Sequence, residues 1–261
     1  MTGSDRLIIL DYSGTLSLLA PRFAQPERLA RELAASGLGA LGISTPEVFW
    51  ERIVNPTWVE GSTTQRGYAK VMTERIIALG MAPATPRETI ATAAGRFVDR
   101  YLAHSSIDLR WRPILARLAE DRSAVTVIAT DHYAEATAAI GRFLAQLNVA
   151  LFVANSADLG AWKGERRFWE ALRNRLPLAE VRRVLAVDDF GLHEEKGDRY
   201  SGRKQALSRQ QRTIAMLAEV FGAEVESIPF FLEHSLWEDQ EAESCLIAST
   251  TAGIAAFLER K

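Results

Sequence analysis

The sequence has little cysteine, no long apolar run and no excess of basic charge. Its single cysteine, Cys245, excludes an intrachain disulfide, and no Cys/His set typical of a zinc site occurs. No apolar run approaches the roughly 18 to 20 residues of a membrane span. The formal net charge of -2 supplies no basic field for nucleic acid or an anionic membrane. Residues 1–20 also lack the pattern of a signal peptide, so we expect a cytoplasmic protein without nucleic-acid or membrane partners.

The chain has enough apolar material for a substantial core, since 48% of its 261 residues are hydrophobic. Its length fits one large domain or two of ordinary size. Helical periodicity dominates the first hundred residues after an initial strand, whereas helices and strands alternate from about residue 107. This alternation predicts an α/β fold with a parallel sheet and right-handed crossovers.

The periodicity also predicts the individual elements. Thr45 and Thr85 each precede a proline and an acidic residue, which indicates two helix starts, and Thr85 to Glu88 matches a capping box. We expect strands at 7–10, 124–129, 150–154, 183–187 and 225–231, and helices at 27–36, 63–79, 86–104, 111–121, 132–147, 164–176, 204–221 and 242–259.

The first predicted strand ends in a charged residue. The apolar residues 7–10 lead directly to Asp11, and Gly14 follows in a turn. Ligands of open α/β sheets bind beyond the carboxyl ends of the strands, where Asp11 would lie. An isolated Asp-x-x-Gly equally fits an aspartate that only caps a turn.

The second predicted strand leads to Thr130, and Asp131 and His132 begin the next helix. A hydroxyl group and free backbone N–H groups at a helix N-terminus form a suitable site for phosphate. Threonine and aspartate are also the commonest helix caps, so this signal alone leaves both interpretations open.

A pair of carboxylates, Asp188 and Asp189, follows the strand predicted at 183–187. Adjacent carboxylates repel each other unless a cation neutralises them, and together with Asp11 they offer the oxygen ligands that Mg²⁺ prefers. Lys163 precedes a helix and is one of only five lysines among 31 basic residues. Its compact charge is suited to bridging a carboxylate and a phosphate oxygen, although an ordinary surface lysine is the alternative.

The order of these signals resembles that of the haloacid dehalogenase superfamily of hydrolases: Asp11 with Gly14 and Thr15, then Thr130, then Lys163, then Asp188 and Asp189. The resemblance covers residues 7–189 by motif. It implies a Rossmann-like parallel sheet core with an inserted all-helical cap domain of the C1 type. The core would comprise residues 1–16 and 107–261, and the cap residues 17–106.

The resemblance also implies catalytic roles. Asp11 would attack phosphorus and form an aspartyl phosphate, which divides a difficult displacement into two easier ones. Thr130, with Asp131 beside it, would bind the phosphoryl group, and Lys163 would orient Asp11 and offset charge. The implied cofactor is Mg²⁺, held by Asp11, Asp189 with Asp188 beside it, and the backbone carbonyl of Ser13.

Ser13 departs from the commonest pattern of the superfamily, which has a second aspartate there as general acid. Losing such a group typically costs 10²- to 10⁴-fold in rate. Asp131, His132 or a cap residue could supply the proton instead, or the substrate could be an acyl phosphate. A third alternative is a phosphonatase-like cleavage of a C–P bond, for which Lys70 is the only lysine in the cap region.

The dehalogenases of the superfamily also lack the second aspartate, but they need no metal and carry uncharged polar groups where this chain has Asp188 and Asp189. The sequence therefore predicts a Mg²⁺-dependent phosphohydrolase that acts on a small phosphorylated metabolite. The alternative is a weakly active or degenerate relative that keeps the fold as a binding module.

Substrate contacts are expected from two regions. Residues 190–203 form an unusually long, charged connection beside the metal site, which fits a loop that closes on substrate or one that is merely solvated. Basic or aromatic side chains of this region and of the cap could meet an anionic substrate, namely Arg199, Arg203, Lys204, Arg22, Arg66 and Trp58.

Overall fold

A computed structural model describes residues 4–178, 180–192, 202–233, 236–237 and 239–260. Within these residues, parallel strands form one sheet in the order β3-β2-β1-β4-β5. The strands are β1 (Arg6–Asp11), β2 (Ala124–Thr130), β3 (Phe152–Asn155), β4 (Arg183–Asp188) and β5 (Glu224–Pro229). The α/β Rossmann-like fold class is therefore confirmed.

Helices fill the long connection between β1 and β2. They are α1 (Leu19–Arg22), α2 (Pro26–Ser36), α3 (Pro46–Val48), α4 (Asn55–Thr63), α5 (Tyr68–Ala78) and α6 (Arg87–His104), with a 3₁₀ turn at Gly39–Leu41 and a π-helical stretch at Phe49–Val54. This helical insertion occupies the place of the expected cap. Its division from the core at residues 17 and 106 stays a prediction.

One of the remaining helices precedes β2, and the others follow β2, β3, β4 and β5. They are α7 (Arg112–Glu120), preceded by a 3₁₀ turn at Leu109–Trp111, then α8 (Ala134–Gln146), α9 (Ser156–Leu159), α10 (Arg166–Arg175), α11 (Arg203–Phe221) and α12 (Gln240–Glu259). In the described part of the chain, no helix has both the length and the apolar composition that crossing a membrane requires.

The central strand β1 is covered on both faces. Successive side chains of a strand point to opposite faces, so Leu7 and Ile9 belong to one apolar cluster and Ile8 and Leu10 to another. The second cluster continues into the helical insertion, which therefore shares a packed core with the sheet. These two clusters hold β1 firmly and fix where its last residue, Asp11, emerges.

Two helix starts differ in their caps. Thr45 confirms its prediction, because its hydroxyl oxygen accepts a hydrogen bond from the Val48 N–H at 3.3 Å. The capping box expected from Thr85 to Glu88 is wrong. Pro86 is itself the cap residue, with an extended ψ of 143°, and no side chain caps α6, which begins at Arg87.

The helix predicted at 63–79 is also wrong at its start, since α5 begins at Tyr68. Gly67 before it adopts a φ of +81°, in the left-handed region that favours glycine. The first N–H groups of α5, from Tyr68 and Ala69, donate to the carboxylate of Glu135 at 3.0 and 3.2 Å. Glu135 lies on α8, so a tertiary contact sets this helix start.

We expect Gly61→Ala to destabilise the protein by about 1–3 kcal/mol. A Cβ at Gly61 would lie 2.4 and 2.6 Å from ring atoms of Tyr68, which is fully buried. The matched control is Gly141→Ala in α8, where a Cβ meets nothing within 4 Å. The free energy of unfolding of this control variant should rise by roughly 0.5–1 kcal/mol, because alanine has a higher helix propensity than glycine. Urea unfolding measures both changes, and equal effects of the two variants would contradict the packing argument.

Candidate active site

The carboxyl ends of three neighbouring strands bring the expected site residues to one edge of the sheet. Asp11 ends β1, Thr130 ends β2 and Asp188 ends β4, with Asp189 next in the chain. Because β1 pairs with both β2 and β4, Asp11 lies between the other two strand ends. Parallel strands place their chemistry at this edge.

Lys163 connects the acidic side chains of this edge. Its ammonium group donates to Asp11 Oδ1 at 2.5 Å and to Asp188 Oδ2 at 2.8 Å. Its backbone N–H donates to Asp131 Oδ1 at 2.8 Å, and its carbonyl accepts from the Trp169 indole at 2.8 Å. Lys163 is therefore anchored through its backbone while its side chain bridges two carboxylates.

Three carboxylates form a compact cluster at the same edge. Asp11, Asp188 and Asp189 each offer an oxygen, and these oxygens all lie within 4.8 Å of one another. Backbone N–H groups orient two of the side chains: Phe190 donates to Asp188 Oδ1 at 2.6 Å and Gly191 to Asp189 Oδ1 at 2.7 Å. Asp11 Oδ2 is buried and forms no hydrogen bond with the described residues.

The charges of the cluster are poorly balanced by protein alone. Burial raises the pKa of Asp11 well above its usual value, Lys163 opposes this rise, and Asp188 and Asp189 add to it. Burial also raises the pKa of Asp188. For Lys163, burial acts to lower the pKa, but the surrounding carboxylates raise it overall, so the side chain stays an ammonium. One ammonium faces several carboxylates, which favours binding of a further cation.

This donor set fits Mg²⁺. Its members are all carboxylate oxygen atoms, and they lie within 4.8 Å of one another. Hard divalent cations prefer carboxylate and carbonyl oxygens. Asp11, Asp188 and Asp189 are the residues that would hold the ion, and the Ser13 carbonyl stays a predicted further ligand.

A tight turn positions Ser13 directly after β1. The Gly14 N–H donates to the Ser17 carbonyl at 3.0 Å and the Ser17 N–H to the Tyr12 carbonyl at 2.8 Å. Gly14 has a φ of +85°, which the turn requires and which other residues rarely adopt. The Ser13 side chain acts to lower the pKa of Tyr101, a residue of α6 in the insertion, against the rise that burial causes.

Aromatic rings at the junction of core and insertion are the part of the site that sequence reasoning missed. Tyr101 packs 5.4 Å from His132 and 5.9 Å from Tyr133, between ring centroids, and Tyr68 stacks on Tyr133 at 4.1 Å. Tyr12 also contacts the His132 ring. Four of the five tyrosines of the sequence thus belong to one aromatic group. These tyrosines come from separate elements and have no common spacing in the sequence. The low number of tyrosines was therefore the one feature of the sequence that could have drawn attention to them.

His132 is a buried, neutral member of this aromatic group. Its side chain is 3% exposed, and burial lowers its pKa to about 3. Nδ1 accepts a hydrogen bond from the Tyr133 N–H at 2.8 Å, whereas Nε2 is buried without a partner among the described residues. At neutral pH the His132 ring is therefore the neutral imidazole, and the acidic imidazolium form is absent.

Two of the N–H groups before α8 have partners within the protein. The His132 N–H donates to the Ser156 hydroxyl at 3.0 Å, and the Tyr133 N–H donates to the His132 ring. The phosphate site expected at Thr130, Asp131 and Lys163 stays a prediction. Thr130 itself lies at the strand end and is buried.

The positive side chains expected to reach substrate from the insertion are engaged elsewhere. Arg22 pairs with Glu243, and Arg66 pairs with Glu60 and Glu74. Both arginines are thus paired with carboxylates of the protein, and their contact with substrate stays a prediction.

The other expected substrate contacts have different outcomes. Trp58 packs against Tyr133 with ring centroids 5.7 Å apart, at the core–insertion junction. Arg203 pairs with the Glu233 carboxylate at 2.7 Å. Lys204 is exposed at the start of α11. Arg199 and most of the connection at 190–203 lie outside the described residues.

Comparison with known proteins identifies the fold. A 2-haloacid dehalogenase from Pseudomonas syringae pv. Tomato DC3000 superposes with a TM-score of 0.52 at 19% identity, covering 86% of each chain. An L-2-haloacid dehalogenase from Xanthobacter autotrophicus gives a TM-score of 0.47 at 12% identity, covering 93% of this chain and 87% of that one. The magnesium-bound HAD-hydrolase YfnB of Bacillus subtilis gives 0.42 at 15% identity, covering 74% and 82%.

No family model matches the sequence, and no curated protein matches it significantly. The structural similarity confirms that the chain has the haloacid dehalogenase superfamily fold. At this level of identity the similarity concerns the fold alone.

We expect Lys163→Met to lower the free energy of unfolding by about 3–5 kcal/mol at neutral pH, because it leaves buried carboxylates without their counter-charge. The loss should shrink at acid pH, where protonated carboxyls need no cation. Added MgCl₂ should recover part of it. Urea unfolding at several pH values measures these effects. Lys70→Met, at an exposed position of α5, is the control and should change stability by less than about 0.5 kcal/mol; equal losses would refute the charge argument.

Proposed function

We propose that the protein is a Mg²⁺-dependent phosphohydrolase that acts on a small phosphorylated compound through an aspartyl phosphate at Asp11. The observation that carries the proposal is the state of the Asp11 carboxylate. One oxygen is held by Lys163 at 2.5 Å, while the other is buried without a hydrogen bond inside a cluster of three carboxylates. A nucleophile needs such a fixed orientation and one uncommitted oxygen.

The surrounding residues have complementary roles in this proposal. Lys163 orients Asp11 and offsets the negative charge that accumulates during phosphoryl transfer. The Thr130 hydroxyl, at the end of the adjacent strand, binds a phosphoryl oxygen, and Asp131 lies beside it. Bound Mg²⁺ supplies electrostatic shielding between the anionic nucleophile and the anionic substrate.

The insertion completes the site above Ser13. The Trp162 indole, next to Lys163 in the chain, donates to the Ser62 hydroxyl of α4 at 2.7 Å. Glu135 binds the N-terminus of α5 on the same side. Contacts of this kind exclude water and favour a small substrate over a macromolecule.

The carboxylate cluster favours phosphate chemistry over dehalogenation. A metal-independent displacement of halide would gain nothing from Asp188 and Asp189, whose mutual repulsion demands a cation. The phosphonatase alternative receives no support from Lys70, which is exposed on α5. A degenerate binding module is the remaining alternative, and activity measurements distinguish it.

We expect the wild type to release phosphate from at least one member of a broad panel of phosphorylated metabolites. Asp11→Asn should reduce this turnover by at least 10³-fold, because the amide is not a nucleophile. Asp121→Asn, on the turn after α7 where Oδ1 accepts the Ser123 N–H, is the matched control.

The same assay includes 2-chloropropionate. Chloride release without added metal would overturn the proposal in favour of dehalogenation. Turnover that survives in Asp11→Asn would refute the nucleophile assignment, and absence of any turnover in the wild type would favour the binding module.

We further expect Mg²⁺ with BeF₃⁻, a mimic of the phosphoryl group, to raise the thermal midpoint of the wild type. Asp189→Asn should raise the Mg²⁺ concentration required for this shift by about tenfold or more, since it removes a charged ligand. Asp11→Asn should abolish the BeF₃⁻ part of the shift. A shift unchanged in both variants would mean that the ions bind elsewhere.

A further inference from the structure

We propose that Asp131 is the catalytic acid and base of this site, in the role for which Ser13 has no suitable group. This inference rests on the phosphohydrolase function proposed above. Three observations support it: the position of Asp131 directly after the carboxyl end of β2, its hydrogen bond from the backbone N–H of Lys163, and the unsuitability of the other nearby side chains as proton donors.

Asp131 belongs to the same edge of the sheet as the nucleophile. It follows Thr130 at the end of β2, the strand that pairs with β1. The two acids are joined through a single residue: the backbone N–H of Lys163 binds Asp131, and its ammonium group binds Asp11. One lysine therefore fixes the separation of Asp11 and Asp131.

The two oxygens of Asp131 have different surroundings. Oδ1 accepts the Lys163 N–H at 2.8 Å, and Oδ2 makes no hydrogen bond with the described residues. A carboxylic acid accepts through one oxygen and donates through the other. The Lys163 N–H thus orients the group and leaves Oδ2 to carry the proton.

The surroundings of Asp131 bring the pKa of its carboxyl group closer to neutral pH. Burial raises its pKa to about 6, the Lys163 ammonium and N–H oppose the rise, and Asp188 and Glu165 add to it. A general acid works best when its pKa lies near the working pH.

The other candidates near Ser13 fail for physical reasons. The His132 ring is buried, and its pKa is lowered to about 3. Burial raises the pKa of Tyr101 to about 12, so this hydroxyl is a weak acid that holds its proton. Ser13 itself does not titrate near neutral pH.

The proposed steps balance as follows. Asp11 Oδ2 forms a bond to phosphorus as the bond from phosphorus to the leaving oxygen breaks, and that oxygen takes the proton from Asp131 Oδ2. Asp131 is then a carboxylate. It takes a proton from a water molecule as the water oxygen attacks phosphorus, the bond to Asp11 breaks and phosphate leaves. Both side chains return to their initial states.

The test compares 4-nitrophenyl phosphate with phenyl phosphate, because only the poorer leaving group, phenolate, depends strongly on a proton donor. We expect Asp131→Asn to lower kcat/KM for phenyl phosphate by 10² to 10⁴-fold. The fall for 4-nitrophenyl phosphate should be less than about tenfold. The variant should also lose the limb of the pH profile that reports the acid. Asn keeps an oxygen for the Lys163 N–H, so the fold is preserved.

Asp158→Asn is the matched control, since Asp158 follows the adjacent strand and accepts the Thr137 hydroxyl at 2.6 Å. It should alter neither the ratio of the two substrates nor the pH profile. Adding Ser13→Asp to Asp131→Asn should restore phenyl phosphate hydrolysis by at least tenfold.

Equal losses for both substrates, with the pH profile unchanged, would overturn the proposal and leave Asp131 a purely structural residue. The proposed function would survive that result provided Asp11→Asn remains inactive. Loss of the requirement for Asp11 would instead refute the proposed function itself.

Discussion

The candidate site depends on one ammonium group placed among carboxylates. Lys163 contacts Asp11 and Asp188 through its side chain and Asp131 through its backbone. Without this charge the strand ends would present only mutually repelling acids in a buried place. The Lys163 ammonium group offsets part of this negative charge, which allows the acids to be buried in the folded protein. The remaining excess of negative charge favours binding of a divalent cation. Charge balance at one edge of the sheet thus links stability to the proposed chemistry.

The helical insertion contacts the sheet core close to the candidate site in the chain. Glu135 caps α5 from the core, and Trp162 binds Ser62 beside Lys163. Tyr68 and Tyr101 of the insertion pack against Tyr133 and His132 of the core. Insertion and sheet also share one apolar cluster. The surroundings of the candidate site are therefore formed by both parts of the chain.

A shared fold leaves the chemistry to the residues at the strand ends. The structural similarity to a 2-haloacid dehalogenase concerns the layout of sheet and helices. Around Asp11, this chain has a carboxylate pair at the end of β4, a serine two residues later in the chain, and Asp131 after β2. We infer phosphate chemistry from these groups and from their charge.

The sequence by itself determined the strands, their alternation with helices and the order of the acidic strand ends, because these depend on local periodicity and on residues adjacent in the chain. It also placed Asp11, Lys163 and Asp188 in one site. Only the tertiary structure decided the start of α5 and the burial of His132. It also decided which acid Lys163 holds through its backbone. These features depend on contacts between residues far apart in sequence, such as the 67 positions that separate Tyr68 from Glu135. Local sequence patterns do not predict such long-range contacts, because the contacts are set by packing and charge in the folded chain.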